Sequence, residues 1–286
     1  MLFEKAWAFI RRDFLIEASY KSAFLMNLGG IFMSALTFFF IAKLFGKAAA
    51  PYLQEYGGDY FPFVLIGIAF STFLGAGLGT TASAIRQEQM LGTLEAMLIT
   101  PTRASAIAVY LSLWNFIFSS FHILIYLLIG KFVFGLSFSV SRPWLILIIL
   151  LLSILSFSSL GIISSSFIMI LKRGNPINWI ISSSFELLGG IYYPIAILPE
   201  PLRIISYLLP VTHSLKALRG VLLAGYSFSQ IKTEIVVLLA FSVVLFPLAI
   251  AAFEYALKWA KKDGSLSQYE FPASLKSSFL LRQIIL

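Results

Sequence analysis

The sequence predicts an all-helical integral membrane protein: six spanning helices, an amphipathic helix lying in the interface ahead of them, and re-entrant outer helices before the last span. Three observations carry this. Hydrophobic residues make up 59% of the 286 residues and charged residues only 12%, whereas a soluble domain carries about a quarter. The mean hydropathy of +0.91 means more apolar surface than a chain of this length hides from water. Apolar runs recur at about the 20 residues a helix needs to cross a bilayer. The 28 Phe and 12 Tyr supply part of that apolar mass and can anchor at the interfaces.

The first element, 1–20, does not span. Phe3, Trp7, Ile10 and Phe14 recur at helical spacing while Glu4, Lys5, Arg11 and Arg12 fall largely on another side, the pattern of a helix in the interface plane. Acidic Glu4, Asp13 and Glu17 interrupt this start, so it is expected to remain on the mature chain. Spans are expected over 23–45, 60–85, 104–130, 144–171, 177–195 and 234–257. The third and fourth are long apolar runs with no other stable state in lipid. The fifth carries Ser182, Ser183, Ser184 and Glu186. Gly75 and Gly79 make a small-residue face on the second span that permits close packing, and Pro247 is expected to kink the last. The stretch 264–286 is too short to span and reads as a cytoplasmic tail. No repeat or soluble domain is visible, so 1–286 reads as one membrane domain. With the N-terminus inside, thirteen of the 21 Lys and Arg lie on the inner side, which favours both termini in the cytoplasm and a multi-pass protein of the cell membrane.

Composition also narrows the chemistry. There is no Cys, which removes disulfides, thiolate metal sites and Cys nucleophiles. The two His, His122 and His213, are too far apart for a local metal motif, and no metal site is expected. The net charge of +8 is explained by juxtamembrane Lys and Arg meeting anionic headgroups, with no nucleic acid as partner. No Gly-x-x-x-x-Gly-Lys-Ser/Thr, His-Glu-x-x-His or Gly-x-Ser-x-Gly string occurs, so no phosphate-cradling loop, zinc-protease helix or nucleophile elbow is present. No catalytic residue and no cofactor of the chain's own is expected. Few acidic residues in the spans argue against an ion-coupled carrier.

Two segments stand out. Between the second and third spans, 86–101 places Leu91, Leu94 and Leu98 at i, i+3, i+7, with Glu88 and Glu95 elsewhere on the surface and Pro101 as a stop. A short amphipathic helix there needs cover for its apolar stripe, from headgroups or from a groove on a soluble partner. After the fifth span, 196–226 is too apolar for an exposed loop and too broken by Pro199, Pro201 and Pro210 for one helix; Pro194 precedes it. Two short helices that dip into the outer leaflet and return satisfy both constraints, provided protein or a wet cavity covers their backbone.

On these residues the chain resembles the permease subunits of type-2 ATP-binding-cassette exporters. The inner segment carries an acidic residue and then Gly-Thr-Leu-Glu and Pro, here Glu88, Gly92, Thr93, Leu94, Glu95 and Pro101. The outer one carries Gly189-Gly190, Tyr193-Pro194, Leu198-Pro199 and Leu218-Arg219, with Pro210-Val211-Thr212 a small departure from the family's Pro-Leu-Thr. The resemblance implies that 86–101 is a coupling helix touching an ATPase subunit, with Leu91 and Leu98 on its apolar face. It implies that the amphipathic start, with Trp7, Arg11, Arg12 and Phe14, is a connecting helix beside it. It implies that Pro194, Pro199, Pro210 and Arg219 belong to the re-entrant outer segment. It further implies two copies of the permease and two ATPase subunits, with ATP and Mg held by the partner, and a drug-like, lipid or glycan cargo. The polysaccharide branch is the weaker match.

Glu186 is the carboxylate set inside a predicted span. An ion there costs about 2.5–3.5 kcal/mol at mid-bilayer, so it faces protein or water, or is protonated; it lines a path or bonds a neighbouring helix. Asn115 and His122 on the third span fit interhelical hydrogen bonding. A membrane-embedded lipid-processing enzyme and an ATPase-independent carrier or channel are the competing readings; the first would need clustered Asp, Glu or His at one membrane face, where this chain has scattered ones.

Overall fold

A computed structural model of the chain describes residues 2–79, 83, 88, 93–98, 104–171 and 176–262. Leu91, Gly92, Pro101 and the expected tail lie outside the described residues. In chain order the α-helices are α1 (Leu2–Ser19), α2 (Lys21–Ala49), α3 (Tyr60–Leu78), α4 (Thr93–Leu98), α5 (Ala104–Phe132), α6 (Pro143–Leu171), α7 (Pro176–Leu188), α8 (Glu200–Tyr207), α9 (Pro210–Leu223) and α10 (Phe228–Lys262). No strand occurs among the described residues. Five helices there are long and apolar enough to cross a membrane: α2, α3, α5, α6 and α10.

The stretch expected as a fifth span over 177–195 departs from that expectation. Its helix α7 has 13 residues and stops at Leu188, about 20 Å at 1.5 Å per residue, short of the about 30 Å hydrocarbon core. Gly190 adopts φ 75, a left-handed conformation natural to glycine after a helix end, and the chain turns there instead of continuing to Ile195.

In lipid, apolar burial gives helices little drive to associate, so close packing and interhelical hydrogen bonds hold a bundle together. Both are present. The centre is α3, against which α2, α5, α6, α7 and α9 all pack, and Phe63, Phe70 and Phe73 are fully buried on it. Its closest crossing is with α6. A Cβ at Gly161 would stand 2.0 Å from the Gly77 carbonyl oxygen, and one at Gly77 would stand 2.3 Å from Phe157 Cβ. The expected packing face of Gly75 and Gly79 is therefore displaced: a Cβ at Gly75 meets nothing within 4 Å. The contact lies two residues on, well round the helix.

Serines supply the polar links. Ser153 Oγ donates to the Ile149 carbonyl and lies 2.8 Å from Ser214 Oγ of α9. Ser156 Oγ is 3.2 Å from Ser242 Oγ of α10. By contrast, neither Asn115 nor His122 makes a hydrogen bond among the described residues; His122 sits edge-on to Phe118 at 4.5 Å. Pro247 lies inside α10, which continues through it.

Helices α6 and α10 run side by side in the same direction. Their starts meet where Trp144 stacks on Phe228 at 6.2 Å, and their far ends share a cluster containing Ile162, Phe253 and Leu257, with Ile107 of α5 and Phe9 of α1 packed in. The first helix and the end of the last long one thus lie at one end of the bundle. Between them α6 finishes at that end and α10 begins at the other, so α7 to α9 carry the chain back across.

Candidate functional site

At the end of the bundle that holds α1, Glu88 is buried and both its carboxylate oxygens are occupied. Arg12 Nη1 of α1 donates to Oε1 at 2.9 Å, and the hydroxyl of Thr93, first residue of α4, donates to Oε2. Arg12 Nε also donates to Asp13 Oδ1 at 2.8 Å. Burial works against the Arg12 charge, but the bond and charge of Asp13 and the charge of Glu88 outweigh it and hold the guanidinium pKa above its ordinary value. This carboxylate, in the connection after α3, joins the first helix, 76 positions away, to the start of the short α4, five positions on. Thr93–Leu98 is helical and so contains Leu94, Glu95 and Leu98.

Of the other residues expected on the first helix, Phe14 meets Trp114 of α5 edge-on at 5.5 Å. Trp7, 58% exposed, and Arg11, also exposed, do not come to the junction. The residue that anchors α1 is Phe9, tilted against Tyr110 at 5.6 Å, which an apolar face drawn through Trp7 and Ile10 leaves out. The Arg12 guanidinium lies 5.3 Å from the Phe9 ring centre, and their spacing of three residues on one helix was the available signal.

At the opposite end the prolines start helical pieces, as expected of a ring that presets φ and lacks an N–H. Pro194 caps a 3-10 turn over Ile195–Ile197, Pro199 caps α8, and Pro210 opens α9. Helix α9 is buried along nearly its whole length, and Arg219 on it is 3% exposed. Its guanidinium donates to the carbonyls of Phe63 (3.1 Å), Gly190 (2.7 Å) and Ile191 (2.9 Å), and lies 3.5 Å from the Phe63 ring centre. Among the described residues no carboxylate pairs with it. Gly67 makes room for this clasp: a Cβ there would stand 2.0 Å from the Ile191 oxygen and 2.6 Å from Arg219 Nη2. Nearby, Lys216 Nζ pairs with Glu234 Oε1 of α10 at 2.8 Å, and Tyr60 donates to the Tyr192 carbonyl at 2.9 Å. Arg219 was expected in this segment, but its role as the bolt through the turn after α7 was not readable from spacing.

Glu186 lies on an exposed face of α7 with Trp179, Ile180 and Leu187. The structure does not bring it to the Arg12–Glu88–Thr93 junction or the Arg219 clasp.

A bundle with five bilayer-length apolar helices, a buried clasp at one end and an ion-paired helical junction at the other defines a multi-pass membrane protein. Residues 4–223, from α1 to the end of α9, match the family model of the ABC-2 type transporter. The chain belongs to that family, whose membrane domain is the transport component and leaves ATP binding to a partner ATPase. No curated protein matched the sequence.

Proposed function

We propose that this chain is the membrane-spanning subunit of an ATP-driven exporter. It moves a drug-like or lipid cargo, with glycans as the alternative cargo class, out of the cytoplasm through the cell membrane. Two copies pair, and two ATPase subunits bind at the inner end, which faces the cytoplasm with both termini. In this reading the sixth crossing is made by α7 together with the turn at Gly190 and the outer helices α8 and α9, which dip into the outer leaflet and return. The observation that carries the reading, beside family membership, is the junction of Arg12, Glu88 and Thr93. It fixes the connecting helix to the segment carrying Leu94, Glu95 and Leu98, so a push on α4 is carried into α1, α3 and α5. Closure of the ATPase pair on nucleotide is then the input to a two-state bundle.

The exposed Glu186 supports pairing. A carboxylate facing lipid is costly, and among the described residues nothing covers the face it shares with Trp179, Ile180 and Leu187. A second copy, with the export path between the two, covers that face and gives the carboxylate water or protein to meet.

The test is reconstitution with the cognate ATPase. Glu88→Ala and Leu94→Ala are expected to insert normally and assemble, yet to lower transport at least about tenfold relative to ATP hydrolysis, a coupling loss of about 1.4 kcal/mol. Transport that still tracks hydrolysis in both variants would remove the coupling role. A chain that binds no ATPase would remove the wider reading.

A further inference from the structure

The bundle holds a groove that neither the junction nor the clasp uses. It lies between α5 and the elbow joining α1 to α2, lined by Phe14, Glu17, Lys21, Leu25, Trp114 and Phe121, with a volume of about 590 Å³. That falls within the about 300–1,000 Å³ of small-ligand sites. Its walls are aromatic and aliphatic: Trp114 stacks on Phe118 at 6.1 Å and takes the edge of Phe14.

The charges at the elbow are what give it chemistry. Glu17 is in the last turn of α1 and Lys21 is the first residue of α2. On an unbroken helix, four residues apart, they would be neighbours and would pair. Tyr20, with φ -101 and ψ 62, breaks the helix between them, and among the described residues neither side chain forms an ion pair. An acid and a base, neither ion-paired among the described residues, therefore sit beside an apolar trough, with His122 of α5 the one titratable neighbour that feels the Glu17 charge.

We propose that this groove binds one zwitterionic phospholipid of the adjacent leaflet as a resident ligand, distinct from the cargo. One acyl chain lies along Trp114 and Phe121, the phosphate meets Lys21, and the headgroup ammonium meets Glu17. Charge complementarity selects this occupant. An anionic lipid satisfies Lys21 but is repelled by Glu17, and an uncharged amphiphile leaves both unmet. Lipid binding in this groove needs α2 and α5 to cross the membrane and is independent of the ATPase, the cargo and the sidedness of the chain.

The chain has five Trp, so a variant that keeps Trp114 alone reports from the groove. It is reconstituted into symmetric phosphatidylcholine vesicles containing small fractions of acyl-brominated phosphatidylethanolamine or phosphatidylglycerol. Bromine quenches indole at contact, and symmetric leaflets make the readout blind to orientation, so failure here leaves the transport reading standing. Phosphatidylethanolamine is expected to quench Trp114 at mole fractions about threefold lower than phosphatidylglycerol, the size of an exposed ion pair. Glu17→Gln is expected to lift phosphatidylglycerol quenching towards that of phosphatidylethanolamine, and the double variant Glu17→Gln, Lys21→Gln to abolish the preference. A variant keeping Trp144 alone, at the far end of the bundle, is expected to show no preference. Equal quenching of Trp114 by the two lipids overturns the proposal. So does a preference that survives both substitutions, or one that Trp144 shares.

Discussion

Arg219 is a cation enclosed by carbonyl dipoles and a ring face, and its geometry sets what can replace it. The guanidinium serves three acceptors at once because its donors are held in a rigid fork. Lys keeps the charge but offers a single ammonium on a flexible stem. Arg219→Lys is therefore expected to leave one or two of the Phe63, Gly190 and Ile191 carbonyls without a partner, at about 1–3 kcal/mol each. Thermal melting of the purified chain in detergent checks this; a melt unchanged from the parent would show that the clasp contributes nothing to stability. The sequence pointed to Arg219 through the Leu218-Arg219 step but not to its partners, since Phe63 lies 156 positions away and carbonyl groups carry no sequence signature. Glu88 shows the same division. Its acidic type and its place before Thr93 were legible, whereas Arg12 as its partner was one of several cations on the first helix.

The existence of the five long apolar helices was the most legible feature, because lipid tolerates few alternatives to a long apolar helix. What periodicity cannot say is which face of an apolar helix meets which neighbour. All sides of α3 are apolar, so Gly75 and Gly79 looked as good a contact as any, and the crossing instead uses Gly77 against Gly161. The serines of α6 held only part of the signal: Ser153 and Ser156, three apart, lie on the side that reaches α9 and α10, but five further serines follow on the same helix. These contacts give opposite expectations for two similar substitutions. Gly161→Ala forces its methyl into the Gly77 backbone and is expected to cost about 1–3 kcal/mol by overpacking. Gly75→Ala is expected to change stability by no more than about 0.5 kcal/mol. Monodispersity and melting of the two variants, measured side by side, decide it; equal behaviour would mean that the α3–α6 crossing has room for a methyl.

For the molecule as a whole, the unpaired surface is as informative as the core. Helix α7 turns Trp179, Ile180, Glu186 and Leu187 outward, and the span expected through Glu186 missed that its helix ends at Leu188. The Gly189-Gly190 pair marked that end, yet the apolar residues after it read as a continuation. If a second copy covers this face, a cysteine placed there should find its counterpart. The absence of native Cys makes the experiment clean. Leu187→Cys is expected to give an oxidant-dependent covalent dimer in membranes, and Val244→Cys, exposed on α10, is expected to give none. Cross-linking at both positions alike would reflect random collision and would count against pairing through α7.

The Arg219 clasp also bears on biogenesis. A ribosome makes Phe63 first, then Gly190 and Ile191, and Arg219 last of the four. Each oxygen that receives the guanidinium is therefore already synthesised before the cation itself leaves the exit tunnel. The charge therefore never waits for acceptors still to be made, and α9 can close onto α3 as soon as it is synthesised.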